Sequence, residues 1–485
     1  MKLRWRAVAV RHCFGAFPGE SILEIGAGSG LWTRHLTDVL RGENPITAAV
    51  FNPDLARSAN ARAMRNVRVV SSESLAADLS PGSFDYIVGT AILCHNQYEQ
   101  SLRTLFGLLK PGGQLLFFEA NYWNPQVFVK NVIPPIGRWT GQAPCEAAMR
   151  KHKLMQAASR QGFVETEIVP FDIVHPRIPR GMIRSLQSIS YIVEHTPIIR
   201  ESCGTLYIWA KKPGGPETRP VVDLAEHKGL YNSTSVVVPC YNEETNIPRL
   251  VEGLTGMYGS YIHEIIIVND NSSDRTEEVT REIISRDPKV KLINRKPPNG
   301  VGRALRDGYQ AAAGRYILTM DSDFVSILPE LRDLFDAVAR GRDGALGSRF
   351  SYDSMLVNYP FAKILCNRLF HLLVNIFFDI RVRDLSNNLK LCRAEILKTI
   401  KIEQPHFAAN AETGLKPLLA GYDIEEVPIS WIDRGADMGV STFKLVSVAP
   451  GYLFALLSAL RRNQRRTFKG GRKSPAMPES DINRM

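Results

Sequence analysis

Two α/β domains in tandem, each built on an open sheet with parallel strands, are what this sequence predicts. Three observations predict them. The chain has 485 residues, and single hydrophobic cores stop growing near ~250–300 residues. Two stretches show short apolar runs alternating with helical segments, the rhythm of strand–helix–strand units. Between them lies KKPGGPETRP, residues 211–220, which combines Pro, Gly and charge as a domain boundary does.

The first rhythm occupies residues 20–120, in SILEIGAGSG, ITAAVFN, VRVVSS, FDYIVGTAIL and QLLFFEA. Residues 121–200 are richer in Pro and less regular, and GTLYIWAKK (204–212) reads as a last strand. The second rhythm runs through STSVVVPCYNE, EIIIVNDNSSD, VKLINR and RYILTMDSDF. Its runs are rich in β-branched residues and end in Asn or Asp. Ligands of open α/β sheets collect at the carboxyl ends of strands, so these polar ends are the first place to seek chemistry. No repeat of 20–50 residues is present. The expected division is a domain over 1–212, a linker over 213–232, a second domain over 233–460 and a basic, disordered tail over 461–485.

Composition narrows the class. Hydrophobic residues make up 44% and charged residues 22%, which fits a globular chain and not a disordered one. The seven Cys form no CxxC pair, which argues against a disulfide framework or structural zinc and for a reducing cytosol. The first residues, MKLRWRAVAVRHCFGAF, lack the apolar core of a signal peptide. The apolar runs at 369–380 and 448–460 fall short of the ~18–20 residues that span a bilayer, but suit an interface. The net charge of +11 fits an anionic membrane surface, phosphorylated substrates or nucleic acid. Much of it sits in RRNQRRTFKGGRK (461–473), with no nucleic-acid motif nearby, so no nucleic-acid partner is expected. A plain solvated tail is the alternative.

In the first domain, Glu24-Ile25-Gly26-Ala27-Gly28-Ser29-Gly30 closes a strand and enters a helix. Gly26 and Gly28 let the backbone turn tightly and approach a ligand. The helix N-terminus offers N–H groups to a carboxylate or phosphate. The segment resembles motif I of class I S-adenosylmethionine-dependent methyltransferases. FDYIVGTAILCHN, LLKPGGQLLFFE and RQGFVETEIV resemble later motifs, so the likeness covers about 15–212. It implies that Glu24, Gly26 and Gly28 hold the amino-acid end of S-adenosylmethionine and that Glu73 faces the adenine. Asn52 stands where the family usually has an acidic residue on the ribose hydroxyls. An amide lacks charge assistance, so that bond would be weaker. No catalytic base is legible. His95, beside Cys94 at a strand end, is a candidate proton acceptor, with an ordinary loop residue as the plainer reading.

In the second domain three polar clusters follow three strands: Pro239–Glu244, Asn269–Asp274 and Asp321-Ser322-Asp323. Each alone reads as turn formers and helix caps. Together they fit a nucleotide-sugar site. A diphosphate leaving group is neutralised by Mg²⁺ or Mn²⁺, which prefer oxygen ligands, and Asp321 and Asp323 past one strand can hold such an ion. Asp270 would accept hydrogen bonds from base or ribose.

STSVVVPCYNEETNI, IIIVNDNSSDRT, NGVGRALRDGYQAAAGRYILTMDSDF and VRDLSNNLKL resemble glycosyltransferase family 2 with its GT-A fold, nearest the dolichyl-phosphate mannosyltransferase and polyprenyl-phosphate glycosyltransferase branch. Both domains would then be Rossmann-like. The resemblance covers roughly 233–445. It implies a metal-dependent inverting transfer from a GDP- or UDP-sugar to a polyprenyl phosphate. Pro239, Tyr241, Glu243, Asp270, Asp321 and Arg349 would bind donor. Asp321 and Asp323 would bind metal, and with Arg434 form the catalytic set. Arg368, Ser441 and Lys444 would meet acceptor phosphate. Three departures stand out: Val325 replaces a usual Gln, DLSNNLKL lacks the usual Ser-Gly-Phe, and Ser441 is followed by Thr442 rather than Lys.

A lipid acceptor implies peripheral attachment to the cytoplasmic face of a membrane. Residues 361–380 carry apolar residues at helical spacing with Lys363, Arg368 and His371 interleaved, which suits an interfacial helix. A core-facing helix is the plainer reading. Two alternatives stay open: a soluble or glycan acceptor, and a non-catalytic N-terminal binding module.

Overall fold

The computed structural model describes residues 2–60, 64–71, 78–93, 98–132, 151–171, 194, 196, 198–215, 222–351, 353–357, 359–432 and 445–467. The chain divides into two compact units, Met1–Val222 with Val357–Ile364, and Asp223–Leu356 with Leu365–Met485.

The six runs read as strands in the first unit each form one, and residues 164–171 add a seventh. They are β1 (Ile22–Ile25), β2 (Ile46–Val50), β3 (Val67–Ser71), β4 (Phe84–Thr90), β5 (Leu109–Ala120), β6 (Val164–Phe171) and β7 (Thr205–Lys211). They make one sheet in the order β3-β2-β1-β4-β5-β7-β6. The first five are mutually parallel, and β7 is antiparallel to both β5 and β6. β1 is buried along its whole length, as expected for a strand covered on both faces. Leu23, Ile87, Leu105, Phe117, Leu154 and Ile208 share its core. The order reverses between β1 and β4, so the crevice of this doubly wound sheet opens beyond Ile25 and Thr90.

The second unit holds β8 (Thr234–Cys240), β9 (Ile262–Asn269), β10 (Val290–Asn294), β11 (Tyr316–Thr319), β12 (Gly344–Ser348), β14 (Lys390–Arg393) and β15 (Ile424–Pro428) in the order β10-β9-β8-β11-β14-β12-β15. A separate two-stranded sheet pairs β13 (Leu356–Val357) with β16 (Trp431–Ile432). β8 to β11 are parallel, and β14 runs antiparallel to β11 and β12. The switch point lies between β8 and β11, which brings the ends of β8, β9 and β11 to one crevice. This α/β architecture in both halves is the one the sequence predicts.

Two helices carry exposed apolar stripes. The helix Phe361–Phe378 buries Phe370, His371 and Val374 and exposes Leu365, Leu369, Leu372 and Ile376, each between 47% and 66%. The helix Leu445–Thr467 buries Leu456 and Ala459 and exposes Leu453, Phe454 and Leu457. Phe370 meets Tyr452 edge-on at 5.3 Å. Phe361–Phe378 has 18 residues at a mean hydropathy of 1.4, enough by length and composition to cross a membrane. That differs from the expectation drawn from unbroken apolar runs, because a helix of this mean hydropathy accommodates Lys363 and Arg368 without losing its apolar character.

Candidate active site

The loops after β8 and β9 are tied to each other. Asn242 and Asn271 both adopt left-handed backbone conformations, at φ 58° and 62°, which Asn tolerates best among residues with a Cβ. The Asn242 N–H donates to Ser272 Oγ (3.0 Å), and its Oδ1 accepts from the Ser273 N–H (2.8 Å). Glu243 N–H donates to Thr276 Oγ1 at 2.9 Å, and Glu244 N–H to Asp274 Oδ2 at 3.2 Å. Asn242, Ser272, Ser273 and Asp274 therefore act as turn and cap groups. Pro239 is buried at the end of β8, and Tyr241 is exposed beyond it. Asn246 Nδ2 donates to Glu243 Oε2 at 2.6 Å.

Both oxygens of Asp270 have protein partners. One oxygen pairs with Arg295, and the other accepts from the Gly300 N–H at 2.6 Å. Arg295, at the end of β10, also donates to Asp307 Oδ2 at 2.7 Å. Asp270 thus fixes the loop from 295 to 300 and keeps only its remaining lone pairs for a ligand. Gly300 is required there: its φ is 153°, and a Cβ would lie 2.2 Å from the Pro405 carbonyl oxygen.

Asp321 and Asp323 follow β11 at the switch point, Asp323 buried and Asp321 half-buried. Asp321 Oδ1 accepts from Asn388 Nδ2 at 2.8 Å. The two carboxylates form an oxygen-only donor set one residue apart, which fits a hard divalent ion. Lys390, fully buried in β14, donates to the Asn387 carbonyl. Burial pulls its ammonium down to about 8.

Arg349 and Arg368, which the family resemblance puts near phosphates, both have partners within the protein. Arg349 follows β12 and grips Asp384 through Nε (2.7 Å), Nη2 (3.0 Å) and its backbone N–H (3.1 Å). Asp384 is fully buried. Burial alone would raise its carboxyl, but the Arg349 charge and hydrogen bonds hold it well below the usual carboxylate range. Arg368 stacks over Phe350 at 4.0 Å and donates to the Arg383 carbonyl and Asn367 Oδ1. His371 links the same helix to the 384–388 loop: its Nδ1 meets the Asn367 carbonyl (2.7 Å) and its Nε2 accepts from the Leu385 N–H (2.7 Å). Burial, then the nearby Arg368, lowers its pKa to about 4, so the ring is neutral with the proton on Nδ1. Arg434, Ser441 and Lys444 lie outside the described residues, as does the side chain of Val325.

In the first unit Gly26 and Gly28 have φ of 69° and 55°. Among the described residues, a Cβ on Gly28 would meet no atom nearer than 4.0 Å. The space there is left open, as a cradle for a ligand requires. Gly30 caps the helix Leu31–Val39 without a side-chain hydrogen bond, so first-turn N–H groups remain for a ligand. Glu24 is fully buried, with neither carboxylate oxygen hydrogen-bonded among the described residues. Burial pushes its carboxyl up to about 7. The ammonium end of an amino acid would relieve that cost, so the residues fit the cofactor.

Asn52 is otherwise placed. Its Oδ1 accepts from Asp54 N–H (2.8 Å) and Leu55 N–H (3.3 Å). It is the N-cap of the helix Pro53–Asn60, with Pro in the favoured first position. Its acceptor atom is committed to that cap, and only its amide nitrogen is left for a ribose. Glu73, Cys94 and His95 lie outside the described residues. Glu119 escapes sequence reading: buried in β5, it accepts from Ile92 N–H (2.7 Å) and Leu93 N–H (2.8 Å) and pins the loop after β4. A lone acid inside the apolar run LLFFEA is its signal.

Gly28→Val is expected to abolish S-adenosylmethionine binding by the full-length protein, measured by calorimetry. The branched side chain would fill the open cradle and oppose the left-handed backbone. Unchanged affinity would show that the ligand does not pass there.

Residues 235–401 match the family model described as glycosyl transferase family 2. Residues 1–142 match that of the ubiE/COQ5 methyltransferase family. The chain joins a region that matches glycosyl transferase family 2 to a region that matches a methyltransferase family. Dolichol-phosphate mannosyltransferase of Pyrococcus furiosus is 33% identical over 134 residues, 28% of this chain and 38% of that protein. Polyprenol monophosphomannose synthase of Mycolicibacterium smegmatis is 27% identical over 215 residues, 43% of this chain and 80% of that protein. Among solved structures, glucosyl-3-phosphoglycerate synthase from Mycobacterium tuberculosis is 17% identical, covering 50% of this chain and 86% of that one at a TM-score of 0.40. The glycosyltransferase region contains all three polar clusters of the second unit, and the methyltransferase region contains the glycine loop.

Proposed function

We propose that the chain transfers a sugar from a GDP- or UDP-sugar to a polyprenyl phosphate, with Mg²⁺ or Mn²⁺ held by Asp321 and Asp323. The observation that carries this reading is the pair of carboxylates at the end of β11, in the crevice at the β8/β11 switch point. The likeness to a dolichol-phosphate mannosyltransferase and a polyprenol monophosphomannose synthase supports the acceptor class. The ion would supply Lewis-acid stabilisation of the diphosphate leaving group. The chain's own part is positional: Asp270 holds the 295–300 loop, and Arg349 with Asp384 anchors the 384–388 loop beside Asp321. An acceptor phosphate is already ionised near neutral pH, so an in-line inverting attack needs no protein base. The methyltransferase region would bind S-adenosylmethionine and methylate a product or precursor of the same reaction sequence. Release of nucleoside diphosphate from a panel of UDP- and GDP-sugars, with membrane lipid extract present and with or without EDTA, tests the reading. Equal release in EDTA would contradict it.

We place the enzyme peripherally on the cytoplasmic face of a membrane. A spanning pose of Phe361–Phe378 would put Arg368 and His371 in hydrocarbon, whereas an interfacial pose lets the exposed stripe insert alone. Full burial of a Leu or Ile side chain is worth ~1.5–3 kcal/mol, and about half of each is exposed. Replacing Leu365, Leu369, Leu372 and Ile376 by Gln is therefore expected to weaken flotation with anionic liposomes by tenfold or more. Salt alone should release the wild type only in part. If the wild type floats under no condition, a soluble acceptor becomes the better reading.

A further inference from the structure

β14 runs antiparallel to β11 with Leu318 opposite Leu391 and Thr319 opposite Lys390. Two residues further along that register, Asn388 stands opposite Asp321. Its side chain reaches across, and Nδ2 donates to Asp321 Oδ1 at 2.8 Å. Its backbone carbonyl accepts from Thr319 Oγ1 at 2.8 Å, so the residue is anchored to β11 at two points.

The other end of the amide has no such partner. Asn388 is 1% exposed, and its Oδ1 makes no hydrogen bond among the described residues. A buried oxygen left unsatisfied costs about 1–3 kcal/mol, and folded proteins keep few of them. The oxygen shares one carbon with the nitrogen that holds Asp321, so it stands within one amide's length of that hydrogen bond. Hard divalent ions also take Asn carbonyl oxygens as ligands beside carboxylates. The DxD pair offers only two residues, and Val325 beyond it has no oxygen to add.

We propose that Asn388 completes the cation site, with Nδ2 orienting Asp321 and Oδ1 serving as a third protein oxygen for the ion. This rests on the metal-dependent reading above. It assigns the unusual Asn in DLSNNLKL a role that neither the DxD motif nor the acceptor expectation covers.

The two atoms make separable predictions. Asn388→Ala removes both the hydrogen bond and the oxygen. Asn388→Asp keeps an oxygen of the same reach, loses the donor and adds a negative charge beside Asp321, which a bound cation offsets. Mn²⁺ binding to the full chain, read from the free-ion signal in electron paramagnetic resonance, measures affinity without catalysis. UDP or GDP is added in parallel samples. Asn388→Ala is expected to weaken Mn²⁺ binding by ~10–100-fold, the usual cost of losing a ligand's partner. Asn388→Asp is expected to bind as tightly as wild type or more so. If Asn388→Ala binds like wild type, the proposal is overturned. It is also overturned if Asn388→Asp is as weak as Asn388→Ala, because the residue would then only position Asp321. Should the Ala variant unfold, as its melting without metal would reveal, Asn388→Asp is compared with wild type alone: equal or tighter binding supports the proposal, and weaker binding by tenfold or more overturns it. A wild type that takes up no Mn²⁺, or an Asp323→Ala variant that binds like wild type, would overturn the metal reading itself.

Discussion

Asp323→Ala is expected to reduce turnover about a thousandfold or more, measured as nucleoside diphosphate released in a single turnover. Asp323 is buried just past β11, one residue from its partner carboxylate. Losing it would leave the ion with one carboxylate of the pair and shift the ion from the diphosphate. Metal stabilisation of a leaving group is worth several kcal/mol, and each ~1.4 kcal/mol is tenfold in rate. Asp323→Asn keeps the shape and one neutral oxygen, so it should retain more activity than Ala but less than wild type. Melting temperatures of both variants in EDTA should stay near that of wild type in EDTA. Activity in Asp323→Ala within tenfold of wild type would remove the carboxylate pair from the mechanism.

Arg349→Met is expected to destabilise the glycosyltransferase unit by ~3–5 kcal/mol, because it strands a fully buried carboxylate. At roughly 2–4 °C per kcal/mol for a unit of this size, its calorimetric transition should fall by ~6–20 °C. The pH dependence checks the cause. Asp384 has a folded pKa far below its unfolded value, so it binds fewer protons folded than unfolded. The stability it contributes is complete above the unfolded pKa of about 4 and is lost as pH falls through the folded value. The gap between wild type and Asp384→Asn should therefore be constant near neutrality and close in acid below pH ~4. A gap independent of pH would mean that packing, and not the Arg349 charge, sets the loss. Because Arg349 and Asp384 flank the 386–388 loop, Arg349→Met should also weaken donor turnover beyond its effect on stability.

Most strands are legible in the sequence because parallel strands buried on both faces tend to be continuous apolar runs, whereas β12 (GALGS) and β14 (KLCR) lack such a run and show only in the structure. The acidic pair after β11 is legible for the same reason, since strand ends are visible in sequence. The partners of the charged residues are not. Arg295 lies 25 residues from Asp270, and Asp384 lies 35 residues from Arg349. Nothing local marks either pairing, so the sequence shows Asp270 and Arg349 as candidate donor ligands and not as the residues that also hold loops. Asn52 has a second role that the sequence also permits. Asn before Pro is both a plausible ribose ligand and a strong helix cap, and the backbone N–H groups two and three residues on take its oxygen. Asn388 is visible only as a departure from a pattern; its role needs the antiparallel register that sets it against Asp321.

The acceptor is tested most directly by where the sugar goes. Full-length protein is incubated with radiolabelled GDP- or UDP-sugar, Mn²⁺ and a polyprenyl phosphate in vesicles, and the label is partitioned between organic and aqueous phases. Transfer to the lipid phosphate puts label in the organic phase as a mild-acid-labile phosphodiester, dependent on both the lipid phosphate and the metal and absent with Asp323→Ala. Label that stays in water, in a product formed equally well without the lipid, would contradict it.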